Sequence, residues 1–216
     1  MQAGLPSSFR PGSVLPAIFP GADSAIQNSA ERFPMSPDPS QARPVRVVVM
    51  GVAGCGKSTI ASRLARATGC ALVEGDDFHP PENIRKMREG VGLSDADRHG
   101  WLEVLGQHLQ AHAQGVVLSC SALKRIYRDQ LRAHAPGLRF VFLRITPELA
   151  LQRVAARGAS HFFTPSLVAN QFATLEEPGG EDGVLTVDAA SPADEITARA
   201  LDWLHASSAT PTLQHP

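Results

Sequence analysis

From Val45 onward the apolar residues fall into short blocks separated by amphipathic stretches, and this alternation predicts the class of fold. Val45-Arg46-Val47-Val48-Val49-Met50 is a β-branched run closed by glycine, the texture of a parallel strand buried on both faces. Lys57 to Thr68 follows, with Ile60, Ala61, Leu64 and Ala65 on one helical face. Ala71-Leu72-Val73 predicts a second strand, and a polar segment comes after it. Trp101, Leu102, Leu105 and Leu109 recur at helical spacing. Val116 to Cys120, Phe140 to Ile145 and Val184 to Val187 predict three more strands. Helical segments are expected around 124–134, 147–157, 165–176 and 192–206. Strand alternating with helix predicts an α/β domain whose parallel sheet is covered on both faces.

The first 44 residues have a different texture. They hold 8 of the 17 prolines, and their apolar scraps, Val14-Leu15 and Ala17-Ile18-Phe19, are each cut short by proline. Proline at this density blocks both helices and sheet ladders. Residues 1–43 therefore read as a disordered extension, with a true start at Met35 as the alternative, and without the basic start and unbroken apolar core of a signal peptide. The folded domain is placed at 44–207 and a flexible tail at 208–216.

Composition narrows the partners. Hydrophobic residues make up 43% of the chain and charged residues 19%, enough to bury a sizeable core. A formal net charge of −1 gives no electrostatic case for nucleic acid or an anionic membrane. No apolar run approaches the ~20 residues of a membrane span. Cys55, Cys70 and Cys120 are odd in number and far apart, which argues against a zinc site or disulfide framework and fits a reducing cytoplasm.

The strongest chemical signal is Gly51-Val52-Ala53-Gly54-Cys55-Gly56-Lys57-Ser58, which fits G-x-x-x-x-G-K-[ST] between a predicted strand and a predicted helix. Its glycines let backbone N–H groups approach phosphate oxygens, and the helix start aims its dipole at the same anions. Lys57 is expected to neutralise the β- and γ-phosphates of ATP, and Ser58 to offer a hydroxyl to Mg²⁺. The expected nucleotide-binding set is Gly51, Gly54, Cys55, Gly56, Lys57, Ser58 and Thr59.

Other residues separate a kinase from a switch or a motor. The chain has no N-K-x-D for guanine, and Asp97-Arg98-His99-Gly100 opens a helix instead of following a strand. The third strand ends in Ser119-Cys120-Ser121, with no Walker B acid. The acids lie instead at the second strand, in Glu74-Gly75-Asp76-Asp77. Ligands of parallel α/β sheets bind beyond the carboxyl ends of strands, so these carboxylates can hold Mg²⁺ waters and take a proton from an attacking hydroxyl. If the chain stays extended there, Glu74 and Asp76 share a side and Asp77 turns away as a cap. That alternation favours Glu74 for the metal and Asp76 as base.

Further blocks carry a family resemblance. They include Gly75-Asp76-Asp77-Phe78-His79-Pro80, Asn83 to Met87, Leu93 to Arg98 with Trp101-Leu102, and Cys120-Ser121-Ala122-Leu123-Lys124 with Tyr127-Arg128-Asp129. Arg153 and Arg157, His161-Phe162-Phe163, Gln171-Phe172 and Leu175-Glu176-Glu177-Pro178 follow in order. From Val45 to about Leu204 the chain resembles the gluconate kinases of the small P-loop type, relatives of shikimate and adenylate kinases. The resemblance implies a five-stranded parallel sheet of order 2-3-1-4-5 and a mobile lid near 153–165. It implies ATP-dependent phosphorylation of D-gluconate to 6-phosphogluconate, and family members are often homodimers. Glu74 stands where the family often has Asp, and Asn170 where serine or threonine is common.

A polyhydroxy anion needs cations and hydrogen-bond donors, which makes His79, Arg98, Lys124 and Arg128 the candidate substrate residues. Arg153 and Arg157 are four apart on one helix face and are candidates to close over the γ-phosphate. Two other readings fit the same loop: another small-molecule kinase, acting on shikimate or a nucleoside monophosphate, or a regulatory protein that hydrolyses ATP slowly.

Overall fold

The computed structural model describes residues 44–156 and 165–206. The strands are β1 (Arg46–Met50), β2 (Ala71–Glu74), β3 (Val116–Ser119), β4 (Arg139–Arg144) and β5 (Val184–Asp188). The helices are α1 (Lys57–Thr68), α2 (Pro81–Arg88), α3 (Asp95–Ala111), α4 (Arg125–His134), α5 (Pro147–Ala156), α6 (Pro165–Thr174) and α7 (Ala193–Ala206). The strands form one sheet in the order β2-β3-β1-β4-β5, every pairing parallel, as the resemblance implies.

β1 shows why its sequence is an unbroken apolar run. Successive side chains of a strand point to opposite faces. Val47 and Val49 enter a core built with Ile60 and Leu64 of α1 and Ile196, Ala200 and Leu204 of α7. Val48 and Met50 enter the opposite core, with Trp101, Leu102 and Leu105 of α3 and Leu131 of α4. Both faces of the central strand are therefore fully buried. Among the described residues, no helix is long and apolar enough to cross a membrane.

The polar segment after β2 is more structured than its pattern suggests. Gly75–Phe78 forms a single 3-10 turn and α2 follows, with Pro81 in its first turn. The chain is thus not extended beyond Glu74, and strand alternation does not govern Asp76 and Asp77; the expectation built on it is corrected here. Asp77 is exposed and caps neither neighbouring helix. α2 has little apolar surface and is fixed largely by polar contacts to the start of α3. Asn83 donates to the Asp97 carbonyl at 2.9 Å, and Lys86 pairs with the Asp97 carboxylate at 2.7 Å. α3 itself opens with a capping box between Ser94 and Asp97, which satisfies backbone donors at both positions.

The lid expected near 153–165 falls largely outside the described residues, as do Arg157, His161-Phe162-Phe163, residues 1–43 and the tail at 208–216.

Candidate active site

The glycine-rich loop runs from the end of β1 into α1. Gly54 adopts φ +84°, and a Cβ there would lie 2.6 Å from the Ala150 carbonyl, so both conformation and space demand glycine. Gly56 precedes α1 with no side-chain cap, which leaves the helix's first N–H groups for an anion. Lys57 Nζ donates back to the Val52 carbonyl at 3.2 Å, and the Ala53 N–H donates to Gln171 Oε1 at 2.6 Å. Ser58 Oγ donates to Glu74 Oε2 at 3.0 Å, which joins the first turn of α1 to the end of β2.

Two clefts flank this loop. The walls of the first include Lys57, Asp76, His79, Arg98, Trp101 and Gln171. Its floor depends on one close crossing. A Cβ on Gly75 would lie 2.5 Å from the Ser119 carbonyl, and Trp101 Nε1 donates to the Gly75 carbonyl at 2.8 Å. Only glycine lets the turn after β2 pass over the end of β3, and this passage brings Asp76 to the cleft beside Lys57.

His79 is buried and stacks on Trp101 with ring centroids 4.1 Å apart. Burial pushes its imidazole down from 6.5 to about 4, against the opposing pull of Asp76, whose Oδ1 lies 3.9 Å from Nε2. The ring is therefore neutral at neutral pH. Its Nδ1 is buried and has no hydrogen-bond partner among the described residues.

Arg98 is 6% exposed, and its partners in the protein are neutral: the Leu93 carbonyl, and the Tyr127 hydroxyl at 3.4 Å. Among the described residues it makes no ion pair, although it lines a cleft open to ligand. Asp95, bonded to the same Tyr127 hydroxyl, feels the Arg98 charge without pairing with it directly. A buried guanidinium with no direct ion pair is costly, a cost that an anionic ligand lowers.

The second cleft opens against the same loop. Gly54, Gly56 and Thr59 meet Arg153, Ala189 and Ile196 there. Arg153 Nη2 donates to the Ala189 carbonyl at 3.0 Å, which holds the last turn of α5 against the segment after β5.

Comparisons with known proteins agree with this geometry. A family model described as an AAA domain matches residues 47–178, a span that holds the loop and every residue lining the first cleft. The thermoresistant gluconokinase of Escherichia coli is 39% identical over 159 residues, 72% of this chain and 90% of that protein. The gluconokinase of Gluconobacter oxydans is 41% identical over 157 residues, 71% of this chain and 88% of that protein. A crystal structure of a gluconokinase from Sinorhizobium meliloti superposes with a TM-score of 0.71 at 47% identity, covering 77% of this chain and 94% of that one. The chain belongs to the gluconokinase family.

Within this gluconokinase-family fold the sequence candidates separate into groups. Lys57, Asp76, His79 and Arg98 share the first cleft. Ser58 and Glu74 are hydrogen-bonded to each other, and Gly54, Cys55, Gly56 and Thr59 line the second cleft with Arg153. Lys124 lines neither of the two clefts and is bound to both oxygens of Asp95 at 2.8 and 2.9 Å. Tyr127 also donates to Asp95, and the Lys124 bond first, then Tyr127, holds the Asp95 carboxyl below its usual range.

Arg128 is the correction. Its side chain is 1% exposed, it pairs with Glu181, and Nη1 donates to the Ala122 and Leu123 carbonyls at 3.0 Å each. Those bonds clasp the turn after β3, where Ala122 sits at φ +43°. Its donors are committed to the protein, so the structure gives it a supporting place and not one against substrate.

Two cleft residues carried no assigned role in the sequence: Trp101, whose indole was counted only as helix core, and Gln171. Leu167 and Gln171 are four apart on α6 and share the face toward the first cleft with Asn170, so polar side chains follow a buried leucine on one helix face. That change from apolar to polar is the signal that points to Gln171.

Proposed function

We propose that this chain transfers the γ-phosphoryl group of ATP to the terminal hydroxyl of D-gluconate, giving 6-phospho-D-gluconate. The observation that carries the reading is Arg98: a buried cation with only neutral partners, in the same cleft as Lys57 and Asp76. Gluconate is a carboxylate with a chain of hydroxyls, and the relatives named above are gluconokinases. Arg98 receives the carboxylate, and the neutral His79, with its unpartnered Nδ1, bonds a hydroxyl of the chain. Asp76 accepts the proton of the attacking hydroxyl, a contribution of roughly 10²–10⁴. Lys57 leaves the Val52 carbonyl to oppose charge on the transferring phosphoryl group.

The nucleoside lies in the second cleft, against Ile60, Ala189 and Arg153, with its phosphates crossing the loop toward the first. Ser58 and Glu74 form an all-oxygen pair that suits Mg²⁺, a cation that keeps most of its waters and takes few protein ligands. When bound there the ion supplies charge neutralisation between the β- and γ-phosphates. Arg157 remains the proposed contact to the γ-phosphate from the segment beyond α5.

The test is a coupled assay of ADP release with gluconate, other sugar acids, shikimate and nucleoside monophosphates. ADP release with gluconate alone supports the reading. Preference for another acceptor, or equal slow release with none, overturns it.

A further inference from the structure

The P-loop is bonded across 118 residues of sequence to α6 through one side-chain amide. The Ala53 N–H can only donate, so the atom 2.6 Å from it is the Gln171 carbonyl oxygen, and the orientation of the carboxamide is fixed. This leaves Nε2 on the other branch of the amide plane. Among the described residues Nε2 has no partner, and Gln171 lines the cleft shared by Lys57, Asp76, His79 and Arg98. A locked amide with two unused donors inside a cleft for a polyhydroxy anion presents those donors to the ligand.

We infer that Gln171 is a specificity and positioning residue that bridges the two substrates: its oxygen holds the phosphate-binding loop, and its NH₂ group donates to a hydroxyl of the acceptor. This rests on the proposed gluconate reaction. The physical consequence is a coupling. Each contact restricts the same short side chain, so an acceptor seated on Nε2 steadies Oε1 against Ala53, and an ordered loop steadies Nε2 for the acceptor. The Gly92 face of α6 supports the register. A Cβ on Gly92 would lie 2.5 Å from Asn170 Oδ1, so the residue beside Gln171 is packed tightly against the opposite wall.

Two near-isosteric variants separate the two halves of the amide. Gln171→Glu keeps an oxygen for Ala53 and removes the donors. Gln171→Met removes both and adds no charge. Steady-state kinetics, an ATP-binding titration and a thermal melt are measured for both beside the wild type. The expected result is a gluconate KM raised roughly 3- to 10-fold or more in both variants, as for loss of one or two hydrogen bonds. The ATP Kd should stay within about twofold in Gln171→Glu and weaken by roughly 3- to 10-fold in Gln171→Met. Melting temperatures should match the wild type, because Gln171 is only partly buried.

A rise in gluconate KM confined to Gln171→Glu would mean charge repulsion and overturn the inference. Unchanged gluconate KM in both variants, or lowered melting temperature with unchanged KM, would reduce Gln171 to a brace and equally overturn it. Should the wild type ignore gluconate and use another acceptor, the function reading fails, and the same variants test Gln171 with that acceptor.

Discussion

Arg128→Met is expected to damage stability and spare substrate affinity. The change keeps an apolar stem and removes a guanidinium whose side chain is 1% exposed, facing a Glu181 side chain that is 9% exposed. Arg128 Nε lies 3.2 and 3.1 Å from the two Glu181 oxygens, and the Ala122 and Leu123 carbonyls each accept from Nη1 at 3.0 Å. Removing one partner of a buried ion pair costs about 3–5 kcal/mol. Arg132 still donates to Glu181 at 2.9 Å, which favours the lower half of that range. Leu123 still accepts from the Glu176 N–H at 2.9 Å, so among the described residues only the Ala122 carbonyl is left without a donor. That orphan adds about 1–3 kcal/mol for a buried unsatisfied group. A net loss of about 4–7 kcal/mol lowers Tm by roughly 8–28 °C for a domain of this size. The assay is a thermal melt at neutral pH, with kinetics taken well below the transition. The gluconate KM should remain within about twofold. The Arg128 bonds, then those of Arg132, hold the Glu181 carboxyl below its usual range. The pair's contribution is therefore present above the ordinary carboxylate range and is lost as pH falls through the depressed value, so the gap between mutant and wild type should narrow in acid. A Tm within 2 °C of wild type at neutral pH, together with a gluconate KM raised more than about tenfold, would make Arg128 a substrate ligand and refute the structural argument.

Lys57→Ala should leave the melt unchanged and lower kcat by roughly 10²–10³ or more, since a preorganised charge is lost at the transferring group; near-normal turnover in a folded mutant would remove the central assignment. Asp76→Asn should cost roughly 10²–10⁴ in kcat with ATP affinity little changed, and the exposed Asp77→Asn much less; the reverse ranking would move the base by one residue. Burial lowers His79 from 6.5 to about 4, so between these values the unfolded chain takes up the proton first. Its contribution is complete above about 6.5 and is lost as pH falls toward about 4, so wild-type Tm should drop faster between pH 7 and 5 than that of His79→Gln. Parallel curves would contradict that burial effect.

The strands were legible because their signal is local. A parallel strand between two helical layers needs apolar side chains on both faces, and β1 carries them in an unbroken run from Val47 to Met50. The loop was legible because phosphate binding requires backbone conformations and a lysine at fixed spacing. α2 was missed because its stripe is short, with Asn83 and Met87 its buried residues. Pro81 in its first turn and the Ser94-x-x-Asp97 box ahead of α3 were present as capping signals. The close crossing of Gly75 over the Ser119 carbonyl, where a Cβ would lie 2.5 Å away, is a tertiary demand for glycine that no local pattern encodes. The strand order came from the family resemblance, since alternation alone does not rank strands across a sheet.

The cations show where local reading stops. Arg98, Lys124 and Arg128 look alike in sequence, each a basic residue in a polar block. What separates them is the counter-charge, and that is supplied from a distance. Arg128 finds Glu181 53 residues away, and Lys124 finds Asp95 29 residues away. Arg98 is buried as Arg128 is, yet its partners in the protein are a carbonyl and a hydroxyl. A buried positive charge is stabilised either by an acid of the chain or by an anion that arrives. Two of the three cations already have their acid. Among the described residues the third makes no direct ion pair, and it lines the cleft that holds Lys57 and Asp76, which is the contrast behind proposing it for the substrate carboxylate.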